Sequence, residues 1–271
     1  MPTYSSPVAA ATDADGTTDH AADLALALTM ADLADEITLR HFHAAPVAST
    51  KPDRSLVTEA DLEVERSLSA FLAAHRPTDG IAAEETRPQT VIEGRCWAID
   101  PVDHTNNFAR DLPFYGTLIA LLDQGRPVVG VVSAPALGRR WWASRGGGAF
   151  ADGRRIRVSA TTDLADAHIS FARLDRWRDL GLLDELVRLV ADTRWTFGSG
   201  GFLAQMAVAE GRLDLAVDAT GDVWDLAAGQ ILVEEAGGRF TDVRGVPEPT
   251  HGTALVTNGH LHAVLLDRLA R

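Results

Sequence analysis

Two aspartates close the run Trp97-Ala-Ile-Asp-Pro-Val-Asp103, where an apolar segment gives way to the polar stretch His104-Thr-Asn-Asn107. Carboxylates this close repel one another unless a cation or a proton relieves them, so their type and spacing point to metal binding. Hard oxygen donors suit Mg²⁺ or Mn²⁺, whereas zinc would favour histidine and cysteine. Pro101 fixes its own φ and removes a backbone donor, which predicts a turn that lets Asp100 and Asp103 converge. Standing alone, an Asp-x-x-Asp pair serves equally as a strand terminator or a helix cap.

Further acids bear on that choice. Glu84 and Glu85 follow the short apolar segment Ile81-Ala-Ala83, so two successive strands end in carboxylates. Ligand sites in layered α/β folds gather at such strand ends. Asp225 stands in Asp222-Val-Trp-Asp-Leu-Ala-Ala228 at the start of an expected helix, where a lone acid would simply complement the helix dipole.

The elements that must position these residues can be read from periodicity. Helical spacing predicts a first helix from Ala21 to about Phe42 and a second from Glu59 to about His75. Thr58 with Asp61 forms the N-cap of the second, with Leu62, Leu68, Phe71 and Leu72 inward and Glu59, Glu63, Glu65 and Arg66 on the solvated side. Lys51 to Thr58 and Arg87 to Arg95 read as loops. Short strands then succeed one another as an antiparallel meander: a segment ending at Asp100, Leu118–Asp123, Pro127–Ser133, Arg140–Ala143, Ala149–Phe150 and Ile156–Val158. Past Ala160 strands alternate with helices. Strands are expected at His168–Phe171, Arg194–Phe197, Leu213–Val217, Arg239–Thr241 and Ala254–Thr257. The intervening helices are expected at about 178–191, 201–210, from Trp224 to Glu235, and from Leu261. The fold class is α/β (α+β), with alternating layers of helices and sheets. Three regions are expected: a flexible tail over 1–20, an α+β half over 21–160 and an α/β half over 161–271.

With 38 acidic against 25 basic residues the net charge is −13, which repels nucleic acid and anionic membranes and leaves an anionic substrate in need of a bound cation. The single cysteine, Cys96, can form no internal disulfide, lies in an apolar strand and suits a reducing cytoplasm. Residues 1–20 show neither a basic start nor a long apolar core, so no signal peptide or membrane anchor is expected there.

Glu84-Glu85, Asp100-Pro-Val-Asp103 and Trp224-Asp225, in that order, resemble the inositol monophosphatase family of metal-dependent phosphatases. Val128-Val-Gly-Val-Val-Ser-Ala-Pro-Ala-Leu-Gly-Arg-Arg-Trp-Trp142 and Glu234-Glu-Ala-Gly-Gly-Arg-Phe240 are most similar to its histidinol-phosphate phosphatase branch. The resemblance implies layered α and β structure, a homodimer, and two or three Mg²⁺ per subunit. It also implies hydrolysis of a small phosphate monoester, L-histidinol phosphate first. Inositol phosphates, sugar phosphates and nucleoside monophosphates are the alternatives. By position it makes Glu84, Asp100, Asp103, Asp225 and the carbonyl of Val102 metal ligands, with Glu85 in support. Asp61 and Thr105 would orient the attacking water, and Lys51 would lie in a loop over the metals. Backbone N–H groups of His104 and Thr105 are expected to receive the phosphate. Arg194, Ser199 and Asp218 are expected to meet the rest of the substrate, although Asp218 alone could be a strand-end surface acid.

This chain departs from the pattern at three places. His104 stands where relatives usually have glycine, Asn106 where they usually have lysine, and Ser199 where the histidinol-phosphate branch more often has aspartate. The competing reading is a metal- or phosphate-binding homologue with weakened catalysis.

Overall fold

The computed structural model describes residues 20–43, 48–51, 55–86 and 94–269. Apart from His20, the expected N-terminal tail lies outside them, as do Pro52, Asp53 and Arg54 and most of the loop expected before Arg95.

The chain opens with α1 (Ala21–His41), a hairpin of β1 (Ala48–Thr50) and β2 (Leu56–Thr58), and α2 (Glu59–His75). There follow β3 (Gly80–Ala83), β4 (Arg95–Asp103) and the single turn α3 (Thr105–Phe108). The meander consists of β5 (Gly116–Asp123), β6 (Arg126–Ala134), β7 (Arg139–Ser144), β8 (Gly148–Ala151) and β9 (Arg154–Arg155). The remainder comprises β10 (His168–Phe171), α4 (Leu174–Asp179), α5 (Leu183–Ala191), β11 (Trp195–Phe197), α6 (Gly201–Ala209), β12 (Leu215–Asp218), α7 (Val223–Glu235), β13 (Arg239–Thr241), β14 (Ala254–Thr257) and α8 (His262–Leu269).

β3 to β9 form a seven-stranded sheet in chain order, antiparallel throughout except for the β3–β4 pair. A second sheet of five strands has the order β11-β10-β12-β14-β13. Both faces of the larger sheet are covered. In β5, Leu118, Ala120 and Leu122 join the core shared with α6 and α7, while Ile119 and Leu121 join the core shared with α1 and α2. The period of two thus divides one strand between two cores. α6 and α7 also pack on the smaller sheet through Ala216, Phe240 and Val256, and its other face is covered by Trp177, Leu186, Leu189 and Leu265. The result is five alternating layers, helix–sheet–helix–sheet–helix, as expected.

α7 lies flush on the larger sheet because β6 has no side chain at its crossing point. A β-carbon on Gly130 would stand 2.4 Å from Ile231 Cγ2 and 2.9 Å from the Ala228 carbonyl. That close approach fixes the helix that carries Asp225.

Several expectations need correction. The helix expected over 178–191 is two helices, because Gly181 adopts φ +74 and ends α4. Part of the loop expected at Lys51–Thr58 pairs as β2 with β1. Ile156–Val158 is no strand: Val158 N–H turns away to the Ala236 carbonyl at the end of α7. Leu62 is 45% exposed and Glu65 only 1%, since the buried face of α2 runs through Asp61, Val64, Glu65, Leu68 and Leu72. Cys96 is buried as expected, and burial pushes its thiol up to about 11.

Candidate active site

In a regular strand, side chains three residues apart point to opposite faces, so Asp100 and Asp103 could not meet. A β-bulge resolves this. β4 pairs with β5 at Asp100–Leu118 and Asp103–Gly116, leaving Pro101 and Val102 opposite Thr117 alone. The extra residue reverses the parity and brings both carboxylates to one side. The strand therefore runs on to Asp103 rather than ending at Asp100. Thr117 Oγ1 donates to the Pro101 carbonyl at 2.8 Å, and Val102 N–H donates to Asp100 Oδ1 at 3.0 Å, which together fix the bulge.

Asp225 reaches the same point from α7. It is the third residue of that helix, and one of its oxygens accepts the Asp222 N–H at 2.6 Å in a capping box. Carboxylate oxygens of Asp100, Asp103 and Asp225 lie within 4.8 Å of one another. Asp61 occupies the corresponding position in α2. Its Oδ2 accepts the Thr58 N–H at 2.8 Å, and its Oδ1 faces Thr105 Oγ1 at 3.4 Å. Thr105 Oγ1 also lies 3.0 Å from the Val102 carbonyl, so this hydroxyl bridges the turn after the bulge to α2.

At the end of β3, Lys51 Nζ donates to Glu84 at 2.8 Å and to Glu85 at 2.6 Å. Burial opposes the Lys51 charge, but the two carboxylates outweigh it and hold the ammonium above its ordinary pKa. Burial, followed by repulsion from neighbouring acids, pushes Asp100 well above the carboxylate range. Burial and Asp103 do the same to Asp225. Burial also raises Glu84 against the pull of Lys51, takes Glu85 to about 7, and raises Asp61. Among the described residues no lysine or arginine pairs with Asp100, Asp103 or Asp225; the ammonium of Lys51 stops at the glutamates. An all-oxygen set of like charges that the protein itself leaves uncompensated fits Mg²⁺.

A cavity of about 420 Å³ opens beside these acids, lined among others by Asp103, His104, Ser199, Gly201, Asp218 and Asp225. His104 adopts φ +66, and its ring leans against Phe202 with centroids 5.6 Å apart. Phe202 N–H, at the start of α6, donates to Asp103 Oδ2 at 3.3 Å. Asp218 ends β12 and is buried, which raises its carboxyl to about 6. Among the described residues its Oδ2 and both amide atoms of the buried Gln205 make no hydrogen bond of good geometry, although Gln205 lies near enough to oppose the rise of the Asp218 carboxyl. Asp218 is therefore not a surface acid.

Arg194 is not brought to the cavity. It precedes β11 at the end remote from Ser199, about 16 Å away along an extended chain, and pairs at the surface with Asp166 at 3.2 Å. The arginine at the rim is Arg173, which follows β10. Sequence reasoning also missed Glu65, whose buried carboxylate accepts the N–H groups of Glu85 and Thr86 at 2.7 and 2.8 Å. Its position four residues after Asp61, on one helix face, was the available signal. Gln205 was missed because nothing in an apolar helix distinguishes an inward glutamine.

Residues 19–271 match the Inositol monophosphatase family, and the chain belongs to that family. It is a phosphoric monoester hydrolase. The histidinol-phosphatase of Mycobacterium tuberculosis is 48% identical over 254 residues, 91% of this chain and 97% of that protein. The histidinol-phosphatase of Streptomyces coelicolor is 41% identical over 93% of this chain and 98% of its own. Among solved structures, an inositol monophosphatase of Zymomonas mobilis superposes with a TM-score of 0.84 at 28% identity, over 94% of this chain and all of that one. That of Thermotoga maritima gives 0.82 at 30% identity, over 92% and 97%.

Proposed function

We propose that this chain is a Mg²⁺-dependent phosphatase whose substrate is L-histidinol phosphate. The observation that carries the reading is the convergence of Asp100, Asp103 and Asp225 beside a cavity, in a chain 48% identical to a histidinol-phosphatase. Glu84, Asp100, Asp103, Asp225 and the Val102 carbonyl would hold two or three Mg²⁺ per subunit, with Mn²⁺ a possible substitute and Glu85 beside them. Bound there, the metal supplies Lewis acidity for hydrolysis and offsets the charge of the phosphate.

The chain's own groups do the rest. The Thr105 hydroxyl, between Asp61 Oδ1 and the Val102 carbonyl, orients a water for attack and passes its proton toward the Asp61 carboxylate. Backbone N–H groups of His104 and Thr105, at the start of α3, receive phosphate oxygens. Asp218, Ser199 and the His104 ring meet the alcohol that leaves. The halves 21–160 and 161–271 contribute opposite walls, the first through β4 and the second through α6, β12 and α7. The single buried thiol and the absence, among the described residues, of any helix able to cross a membrane are compatible with a cytoplasmic enzyme.

A homodimer would cover exposed apolar side chains carried by α4, α5 and β11. Leu174, Leu180, Val187, Trp195 and Phe197 are half of the large exposed apolar side chains among the described residues.

Phosphate release from L-histidinol phosphate, inositol, sugar and nucleoside monophosphates, with Mg²⁺ and with chelator, tests the function. Turnover should need the metal, be highest on histidinol phosphate and fall at least a hundredfold in Asp225→Asn. Release from no ester in the presence of Mg²⁺ would favour the alternative, a binding homologue with weakened catalysis.

A further inference from the structure

His104 sits in a left-handed backbone conformation, φ +66, that a β-carbon disfavours. Nothing in the turn calls for histidine there, so what the residue contributes must lie in its ring. The ring is fixed at both ends. Asn107 Nδ2 approaches His104 Nδ1 at 3.4 Å and is itself anchored on the Phe114 carbonyl at 2.8 Å. On the opposite side the ring occupies the space that any side chain at position 201 would need. A β-carbon on Gly201 would stand 2.6 Å from His104 Nε2 and 3.4 Å from its Cδ2, and Gly201 itself has φ +61. The neighbouring Phe202 ring lies at 51° to the imidazole.

We propose that His104 is a specificity-determining residue: its ring, seated against Gly201, walls the cavity and favours an alcohol bearing a flat ring over a polyhydroxylated one. The inference rests on the phosphatase reading above and concerns the part of the substrate that leaves. The ring lines the same cavity as Ser199 and the buried Asp218. An aromatic surface offers stacking to a planar group. The face of the ring offers a row of hydroxyls no hydrogen bond, and the ring nitrogens that could do so point elsewhere, Nδ1 to Asn107 and Nε2 against Gly201. Hydroxyls laid on the face would therefore lose contacts with water without replacement. A glycine at 104 would remove this wall and leave the backbone at ease, so the substitution is compatible with the fold.

The test is steady-state phosphate release at saturating Mg²⁺ from L-histidinol phosphate and myo-inositol 1-phosphate, with separate kcat and KM. His104→Gly should lower the ratio of kcat/KM, ring-bearing over polyol ester, by about tenfold or more, mainly through KM. His104→Phe, which keeps a planar ring, should retain the ratio within about threefold. Gly201→Ala should displace the ring and move the ratio in the same direction as His104→Gly. Because its β-carbon would also stand 3.2 Å from Asp103 Oδ2, the Mg²⁺ dependence is measured alongside, and a parallel slowing of both esters with altered Mg²⁺ dependence is read as an effect on Asp103. The two changes combined should shift the ratio by less than the sum of their separate effects, because the part of each that alters the ratio acts on the same ring. A ratio unchanged in His104→Gly, with both esters slowed in parallel, overturns the inference while the phosphatase reading stands. A wild-type enzyme that releases phosphate from neither ester overturns both.

Discussion

Glu65, buried in α2, accepts the backbone N–H of Glu85 at 2.7 Å, and its other oxygen accepts that of Thr86 at 2.8 Å. The Thr86 hydroxyl donates to the same carboxylate. A helix side chain thereby pins the end of β3, where Glu84 and Glu85 turn toward Lys51 and the aspartate cluster. The acid that sequence patterning assigned to solvent is a positioning residue for the site.

Glu65→Ala should therefore affect both stability and metal use. Two N–H groups, Glu85 half-buried and Thr86 exposed, would lose their acceptor, and water replaces part of it, so urea denaturation should show a loss of about 1–2 kcal/mol. The Mg²⁺ concentration for half-maximal activity should rise about tenfold. Glu65→Gln keeps one acceptor oxygen and should fall between wild type and alanine. Equal Mg²⁺ dependence in all three proteins would reduce Glu65 to a structural role.

The acid cluster predicts an unusual dependence of stability on pH when metal is chelated. Burial raises Glu85 to about 7 and Asp218 to about 6, and Asp100 and Asp225 are raised well above the ordinary range. A folded pKa above the unfolded one means that the fold holds the proton more tightly. The associated stability is present below the unfolded value and is lost as pH rises through the folded one. His262 works the other way below its ordinary 6.5, because burial lowers it to about 4. The clean window therefore opens above pH 6.5. Melting in chelator should be lower at pH 8 than at pH 6.5, and Mg²⁺ should raise it more at pH 8. A chelated protein that melts higher at pH 8 would contradict the electrostatic account.

Most elements were legible because periodicity and caps act locally. Thr58 with Asp61 marked the start of α2 to the residue, and the apolar runs of β5 and β6 marked central strands. What escaped depends on partners distant in the chain. Asp100 and Asp103 meet only because β5 leaves one residue of β4 unmatched, a register event no spacing rule on β4 alone reveals. Leu62 faces outward because Asp61 and Glu65 take the inner face, where Thr105 and the end of β3 satisfy them. Arg194 was expected at the substrate rim together with Ser199, but the extended strand β11 separates the two.

Gln205 offers a contrasting prediction, in which stability and binding move in opposite directions. Its side chain is fully buried and, apart from a loose approach to the Asp218 carboxyl, its amide makes no hydrogen bond of good geometry among the described residues, a cost that an apolar side chain of similar size would remove. Gln205→Leu should raise stability by about 1 kcal/mol in thermal or urea unfolding. The same change leaves Asp218 against an apolar neighbour, so KM for the ester should rise while kcat changes less. A loss of stability would mean that the amide is already satisfied within the protein.

The apolar edge supplies the last prediction. β11 is the outer strand of the five-stranded sheet, and its Trp195 and Phe197 rings stack with centroids 6.3 Å apart, 53% and 39% exposed. An exposed edge strand carrying aromatic side chains is a pairing surface unless another chain covers it. A two-fold axis through this edge would bury the same side chains from both subunits, so one substitution changes the interface twice. With the proposed homodimer joined through this edge, the wild-type chain should scatter light as a dimer at micromolar concentration and Trp195→Asp as a monomer. The melt should become lower and independent of protein concentration. Gly198, Ser199 and Gly200 follow β11 and line the cavity, so loss of the interface should raise KM more than it lowers kcat. A Trp195→Asp protein that stays dimeric would put the interface elsewhere on the surface.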